Sequence, residues 1–379
     1  MVDFEKAFNR IDHNLLITKL SDMGVPGWLL RVVMGFLSNR RMVVRYRGKL
    51  SSIKKLPGGG PQGTLLGLFL FLVLINEAGF DGQINNAGEL LTTRKNIRRA
   101  NQIHLKFVDD MTVAESINLP AKLQSIPEST RPLPDMYRAR TGHALPPERS
   151  VVNRQLQKTE EYAKENKMKI NYSKTKVMLF NPCRSIDFLP ALQLGGQQLE
   201  LVEQIRLLGM TIRSDLKWSS NTENIVKRAS NKLWLIRRLK KMGANREELV
   251  DMYTKHCRSI LEYAVPVWNG SITGYESKDI ERIQKMALHI ILGKNYLDYE
   301  NAMKLTNLES LESRRINLCI NFAKKAEKSQ KYMHWFRPRS IVNTRQPKVK
   351  YIEPQARTER LKKSAIPYLT RILNTHYMK

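Results

Sequence analysis

The sequence predicts an α+β protein in which a mixed region of helices and short strands is followed by an all-helical unit. Up to about residue 218, segments of alternating apolar and polar residues are interspersed with segments of helical spacing. From Ser219 onward the apolar residues recur at helical spacing without strand signals, which predicts a domain boundary there. The 379 residues are enough for two or three packed units.

The start of the mixed region carries one strand signal and two helix signals. Residues 1–8 predict a strand fragment. The apolar spacing over residues 15–23 predicts a helix, which Gly24 and Pro26 end because neither residue favours its continuation. A second helix is predicted from about residue 28 to residue 37.

The next segment contains a predicted hairpin and an apolar helix. Residues 41–56 predict two short strands joined at residues 47–49, and the glycine-rich PGGGPQGT that follows interrupts regular structure. The apolar run LLGLFLFLVLI at residues 65–75 is too short to span a bilayer, so it predicts a buried helix.

The rest of the mixed region is interrupted by a proline-rich segment. KFVDDM, residues 106–111, predicts the end of a strand. Residues 114–152 hold six of the 16 prolines and predict an inserted surface loop. A helix is predicted at residues 153–167, and strands at residues 168–180 and around residues 206–212.

The predicted helical unit, residues 219–328, opens with a strongly basic helix at residues 221–241. Its apolar stripe is Ile225, Ala229, Leu233, Ile236 and Leu239. One acid, Glu223, stands against seven cations, which favours contact with phosphates; a solvated charged face is the alternative. The seven cations are Lys227, Arg228, Lys232, Arg237, Arg238, Lys240 and Lys241.

Two more helices are predicted in this unit, at residues 246–264 and 276–292. The tail, residues 329–379, is basic and contains several prolines, so we expect it to be partly disordered.

The charge of the chain indicates a polyanionic partner. Lys and Arg number 64 against 35 Asp and Glu, which gives a formal net charge of +29 and a sequence pI of about 10.1. Nucleic acid is favoured because neutralised phosphates release counterions. An anionic membrane surface is the alternative, but the cations are spread over many segments rather than gathered on one amphipathic anchor, so no membrane partner is expected.

The cysteines and the amino terminus bear on the compartment. Cys183, Cys257 and Cys319 lie far apart and form neither a CxxC pair nor a zinc-finger pattern. The amino terminus is charged from its third residue, unlike a secretory signal. We therefore expect a reducing intracellular compartment, without distinguishing nucleus from cytoplasm.

Three aspartates are candidates for metal binding. Asp3 and the adjacent Asp109 and Asp110 all follow predicted strand segments, and neighbouring strands would bring them together. Carboxylates suit magnesium, which prefers oxygen ligands. A hairpin turn is the alternative for the pair because aspartate favours turns, and the spacing leaves both interpretations open.

Five segments occur in an informative order. VDFEKAF, PGGGPQGTLLG, KFVDDM, NYSKTK and LLGMTI follow one another as in the palm of reverse transcriptases, and the set resembles the LINE-like polymerases of non-LTR retrotransposons. The resemblance covers roughly residues 1–330. It implies a palm of antiparallel sheet and packed helices at residues 1–218, a thumb-like helical domain, and an RNA-directed DNA polymerase.

The resemblance also implies the chemistry of the site. Asp3, Asp109 and Asp110 would bind two Mg²⁺ ions, with Mn²⁺ as a possible substitute, for nucleotidyl transfer. Lys174 would stabilise the departing pyrophosphate; a solvated strand-end lysine is the alternative. The substrates implied are an RNA template, a DNA primer and deoxynucleoside triphosphates.

Three further residues match nucleotide-binding positions of the family. Phe8 would lie against the sugar and exclude a 2'-hydroxyl, although a core phenylalanine at a strand-to-helix corner is the alternative. Gln62 would offer an amide beside the nascent base pair, and Gly63 would let backbone approach the template. A glycine-rich turn is the alternative for both.

The chain departs from the family at its amino end. It begins two residues before Asp3, where relatives carry a fingers region, so we expect an amino-terminally truncated piece of a retroelement reading frame. Two interpretations follow: an RNA-directed DNA polymerase fragment, or a catalytically inactive nucleic-acid-binding remnant with its ligands in place. A two-metal nuclease would not need the PQG and LLG segments.

Overall fold

The computed structural model describes residues 1–56, 58–61, 63–75, 102–107, 110–115, 151–180, 192–339 and 349–378. The chain divides into two compact units, Met1–Glu203 and Gln204–Lys379. Each unit has its own apolar core.

The helices of the first unit match the sequence predictions closely. The side chain of Asp12 caps the first helix by accepting the N–H of Leu15 at 3.0 Å. That hydrogen bond, with an ion pair to Lys167, lowers the pKa of Asp12. The described helices are α1 (His13–Asp22), α2 (Gly27–Leu37), α3 (Leu65–Ile75) and α4 (Val151–Glu165).

The apolar helix α3 is buried on one face only. Leu70, Phe71 and Leu74 are fully buried in the first core, whereas four apolar residues of the other face are exposed. The exposed residues are Leu65, Leu68, Phe69 and Leu72. The prediction of a buried helix therefore holds for the half of α3 that packs on α1 and its neighbours.

Residues 41–55 form a nested hairpin. The inner pair turns at Arg47 and Gly48, which both have positive φ, close to the turn that the sequence predicts. The strands are β1 (Arg41–Met42), β2 (Arg45–Tyr46), β3 (Lys49–Leu50) and β4 (Lys54–Lys55), with β1 paired to β4 and β2 to β3.

The amino-terminal segment is sandwiched between two other segments. β5 (Gln102–Phe107) and β6 (Asp110–Glu115) form an antiparallel hairpin. Val2 bridges Met111 of β6 on one side, and Phe4 bridges Ile170 on the other. All four of these bridging side chains are buried in the core, as alternation along an extended chain requires. Asp3 lies between Val2 and Phe4, so it falls on the opposite side of the extended segment from these two core residues.

Short strands complete the first unit. β7 (Lys176–Val177) pairs in parallel with β10 (Glu200–Leu201), and β8 (Gln193–Leu194) pairs with β9 (Gln197–Gln198). The loop predicted at residues 114–152 lies almost wholly outside the described residues.

The second unit opens with a hairpin and continues with helices. β11 (Gln204–Leu207) pairs with β12 (Met210–Arg213). The predicted helix 246–264 is divided by a π-helical turn at Thr254–Arg258. The helices are α5 (Ser219–Lys241), α6 (Arg246–Tyr253), α7 (Ser259–Leu261), α8 (Val265–Trp268), α9 (Gly274–Leu292), α10 (Tyr299–Thr306), α11 (Leu311–Lys328), α12 (Glu359–Lys363) and α13 (Ala365–Met378).

The boundary between the units precedes the hairpin rather than α5, earlier than predicted. Asn221 of α5 accepts the N–H of Thr211 at 3.2 Å, and Asn224 donates to the hydroxyl of Thr211 at 3.0 Å. The hydroxyl of Tyr263 donates to the carbonyl of Leu208 at 2.8 Å. These polar contacts attach the hairpin to the helices that follow it.

The described part of the tail, residues 329–339 and 349–378, contains a strand pair and helices. Leu369 and Leu373 of α13 are buried in the second core. β13 (Arg337–Pro338) pairs with β14 (Tyr351–Ile352), and Asn374 holds the backbone of Tyr351 through two hydrogen bonds of 3.0 and 2.9 Å. The apolar spacing of α13 packs this part of the basic, proline-containing tail into the second core.

No helix in the described ranges is long and apolar enough to cross a bilayer.

Candidate metal centre and nucleic-acid interface

The extended segment around Asp3 brings two of the predicted metal ligands together along the backbone. The N–H of Val2 donates to the carbonyl of Met111 at 2.8 Å, and the N–H of Met111 donates back at 3.3 Å. In an antiparallel register this exchange places the next residue, Asp3, beside Asp110. Asp109 lies outside the described residues.

Lys174 lies next to Asp3. Its ammonium nitrogen is 3.8 Å from Oδ2 of Asp3, and its side chain is 70% exposed against 19% for Asp3. The backbone positions the two residues, because Asn171 donates its N–H to the carbonyl of Asp3 at 2.8 Å. The side chain of Asn171 then accepts the N–H of Lys174 at 3.2 Å, which forms the turn in NYSKTK.

The donor chemistry at Asp3 fits a divalent cation. Its carboxylate is mostly buried and accepts no hydrogen bond from any other described residue, so its oxygens have unused acceptor capacity. Carboxylate oxygens are the ligands that magnesium prefers. Within the described ranges, which omit Asp109, three potential ligand side chains do not meet in one cluster.

The glycine stretch packs onto the corner that follows Asp3. Gly59 donates its N–H to the carbonyl of Ile11 at 3.0 Å, and Gly60 donates to that of Phe8 at 2.7 Å. Gly59 has a φ of +81°, and a Cβ there would lie 2.9 Å from Cα of Asn9. Glycine is needed here because two backbones touch.

Two side chains that the sequence analysis did not single out anchor the same stretch. Arg40 donates to the carbonyl of Gly59 at 2.8 Å, and Nε2 of His13 lies 2.9 Å from that oxygen. Their distance in sequence from the glycines hides the contact.

Phe8 lies at the strand-to-helix corner and packs against the core. Its ring stacks on Phe71 of α3 with centroids 4.4 Å apart and an interplanar angle of 25°. Gly63 has a φ of +83°, and a Cβ there would meet nothing within 4 Å. Gln62 lies outside the described residues.

Six of the seven cations predicted on α5 are exposed, and none of the six forms an ion pair with another residue that the structure describes. Lys240 differs from the other six. Its ammonium donates to the carbonyls of Ile290 at 2.6 Å and Ile291 at 3.0 Å, at the end of α9. The cation thus satisfies carbonyls that a helix end leaves free. The exposed six are Lys227, Arg228, Lys232, Arg237, Arg238 and Lys241.

Comparison with known proteins identifies relatives of one kind. The chain is 24% identical over 299 residues to the probable RNA-directed DNA polymerase from transposon BS of Drosophila melanogaster, a match covering 76% of this chain and 28% of that protein. It is 24% identical over 318 residues to the RNA-directed DNA polymerase from mobile element jockey of the same organism, covering 81% and 30%. The chain is a relative of these retrotransposon polymerases.

The resemblance to reverse transcriptases is thereby confirmed. The chain spans less than a third of the length of either protein. No protein-family model matches it.

The second unit also contains a cleft of about 740 Å³ beside the start of α5. Its walls include the aromatic residues Trp218 and Tyr275 and an equal number of acids and bases. The charged lining residues are Glu223, Glu276, Asp279, Lys217, Lys227 and Arg282. Lys227 lies at the edge of this mixed-charge cleft, and from Asn224 to Lys241 the charged residues of α5 are all basic.

Proposed function

We propose that this chain carries an RNA-directed DNA polymerase palm, which extends a DNA primer on an RNA template by two-metal nucleotidyl transfer. The observation that carries the proposal is the bridge between Val2 and Met111, since its register sets Asp3 beside Asp110. The names of the two relatives support the same activity.

The proposed ligands of the two Mg²⁺ ions, or of Mn²⁺ in their place, are Asp3, Asp109 and Asp110. Bound ions of this kind activate an attacking hydroxyl and stabilise a leaving oxygen. Backbone hydrogen bonds hold the segment around Asp3 between two other segments, which restricts where its carboxylate can lie.

Lys174 would act on the leaving group. Its ammonium lies beyond hydrogen-bond length from Asp3 and is largely exposed, so it is free to reach an incoming triphosphate. There it would donate hydrogen bonds to the departing pyrophosphate and offset its charge.

The remaining proposed contacts select and hold the substrates. Phe8, stacked on Phe71, would present a rigid ring edge to the sugar of an incoming deoxynucleotide. Gln62 and Gly63 would lie near the nascent base pair. The exposed cations of α5 would bind phosphates, which positions nucleic acid without reading its sequence.

Primer extension on an RNA template with deoxynucleotides and magnesium tests this proposal. The purified chain is compared with the double variant Asp109→Asn and Asp110→Asn. Asp22→Asn is the matched control, because it removes an exposed carboxylate of the same unit. We expect extension by the wild type and the control and none by the double variant; extension by all three would disprove the assignment of the aspartates.

The same experiment distinguishes the polymerase from the second candidate function, nucleic-acid binding without catalysis. If the wild type and both variants bind nucleic acid in a salt-sensitive manner but none extends the primer, the chain is a nucleic-acid-binding remnant. The exposed cations of α5 favour binding in either case.

A further inference from the structure

An exposed tryptophan interrupts the basic surface of α5. Trp234 is 55% exposed. Within the described part of the chain its ring makes no aromatic or cation–π contact, and its indole N–H has no hydrogen-bond partner. Single exposed apolar residues are common on protein surfaces, so the exposure of Trp234 indicates a partner only when the residues around it do.

The core does not explain this residue. The residues of α5 that face the second core include Ile225, Ala229, Leu233 and Ile236. Trp234 lies outside that stripe, next in sequence to Leu233 and therefore about 100° around the helix from it. Its position belongs to the solvent side of the helix.

Its neighbours on the helix surface are all polar or cationic. Positions three, four and seven residues away are the ones that lie beside it. Four of them are Lys227, Arg237, Arg238 and Lys241, all exposed, and the other two near positions carry Ser230 and Asn231. We call Trp234 with these four cations the tryptophan face.

The tryptophan face carries charge of one sign. From Asn224 to Lys241 the helix contains no Asp or Glu. Such a surface repels basic proteins, including a second copy of a chain with a net charge of +29. It attracts phosphates, and the ring among the cations adds a flat apolar surface of the kind on which bases stack.

We propose that the tryptophan face binds single-stranded nucleic acid, with the indole of Trp234 stacked on an unpaired base and the four cations holding the backbone phosphates. The proposal rests on the nucleic-acid binding assigned to α5 above and adds the strand state that it prefers. In a duplex both faces of each internal base are already stacked, so the ring has a partner only where a strand is unpaired.

Binding of the full chain to oligo(dT), to oligo(U) and to a duplex of the same length tests the proposal. Trp234→Ala is expected to weaken binding of at least one single strand by about tenfold and duplex binding by less than twofold, since stacking requires an open base. Trp234→Phe should retain most of the affinity because it keeps an aromatic ring. Quenching of the intrinsic tryptophan fluorescence by oligo(dT) should fall in Trp234→Ala.

A second exposed tryptophan supplies the matched control. Trp28 of α2 is 62% exposed and lies in the other unit, so Trp28→Ala should leave both affinities unchanged. Arg238→Ala should weaken single-strand and duplex binding alike and reduce the salt slope, as expected for a phosphate contact. The salt slope of Trp234→Ala should equal that of the wild type.

Equal losses on single strand and duplex, or no loss on any single strand, would overturn the proposal. Its failure can be told apart from failure of the polymerase assignment, because binding needs no extension. If neither the wild type nor the variants extend a primer, the polymerase assignment falls while the strand preference of Trp234 stands. If extension depends on the aspartates but Trp234→Ala binds single strands normally, only the stacking proposal falls.

Discussion

The ion pair between Lys174 and Asp3 is poorly suited to stabilising the fold. Its 3.8 Å separation is too long for a strong hydrogen bond, and the ammonium is largely in water. Exposed pairs of this kind contribute at most about 1 kcal/mol. The turn that holds Lys174 beside Asp3 nevertheless restricts where its charge can act, which is what a role at a leaving group requires.

Replacing this lysine should therefore separate activity from stability. We expect Lys174→Ala to slow primer extension by about 100-fold, the range in which an ion-stabilising or proton-donating group acts, with little change in melting temperature. Single-turnover extension and thermal unfolding of the same preparation measure the two effects.

Lys169→Ala provides the comparison. This nearby lysine pairs with Glu5 at 2.9 Å on the same segment. The Lys169→Ala variant should extend primers at close to the wild-type rate. Equal slowing by the two variants would mean that lost positive charge, rather than the position of Lys174, limits the reaction.

At the scale of elements, the cations of α5 occupy two different environments. Its exposed cations face solvent, whereas Lys240 reaches across to the end of α9 and donates to two carbonyls there. A Cβ on the following Gly293 would lie 2.7 Å from Nζ of Lys240. The ammonium is thus packed into the junction between the two helices.

Adjacent lysines should consequently give opposite results. Lys240→Met is expected to lower the free energy of unfolding by about 1–2 kcal/mol, because two carbonyls lose a charged donor, and to change nucleic-acid affinity little. Lys241→Met should leave stability within about 0.5 kcal/mol and weaken nucleic-acid binding. Urea unfolding measures the stability of each variant, and filter binding measures its nucleic-acid affinity. Destabilisation by Lys241→Met alone would contradict the structural role assigned to Lys240.

At the scale of the whole molecule, a net charge of +29 favours a polyanionic partner, and the number of phosphate contacts sets how binding responds to salt. The six exposed cations of α5 would release counterions when they contact phosphates. If all six do so on a duplex, the logarithm of the binding constant should fall by about five for each tenfold rise in salt. A slope near zero would rule out binding dominated by phosphate contacts.

Replacing the six cations together by glutamine tests where that slope originates. The variant should bind duplex weakly and with a much flatter salt dependence, since the remaining cations are spread over the surface. Lys240 stays in place to preserve the end of α9. An unchanged slope would move the interface to another part of the chain.

The sequence by itself was enough for features that depend on a few neighbouring residues. Helices α1, α2 and α5 follow from apolar spacing, and the turn at Arg47 and Gly48 from its turn residues. The resemblance to reverse transcriptases rests on short ordered segments, and the relatives confirm it. Gln62 and Asp109 are predicted on that basis and lie outside the described residues.

Tertiary structure alone decided which distant residues meet. The bridge from Val2 to Met111, the contact from Lys240 to the end of α9, and the packing of α13 in the second core each join segments far apart in sequence. Local periodicity shows which face of an element is apolar but not which surface will cover it. That choice depends on the packing of the whole unit, and it set both the neighbours of Asp3 and which cations of α5 remain exposed.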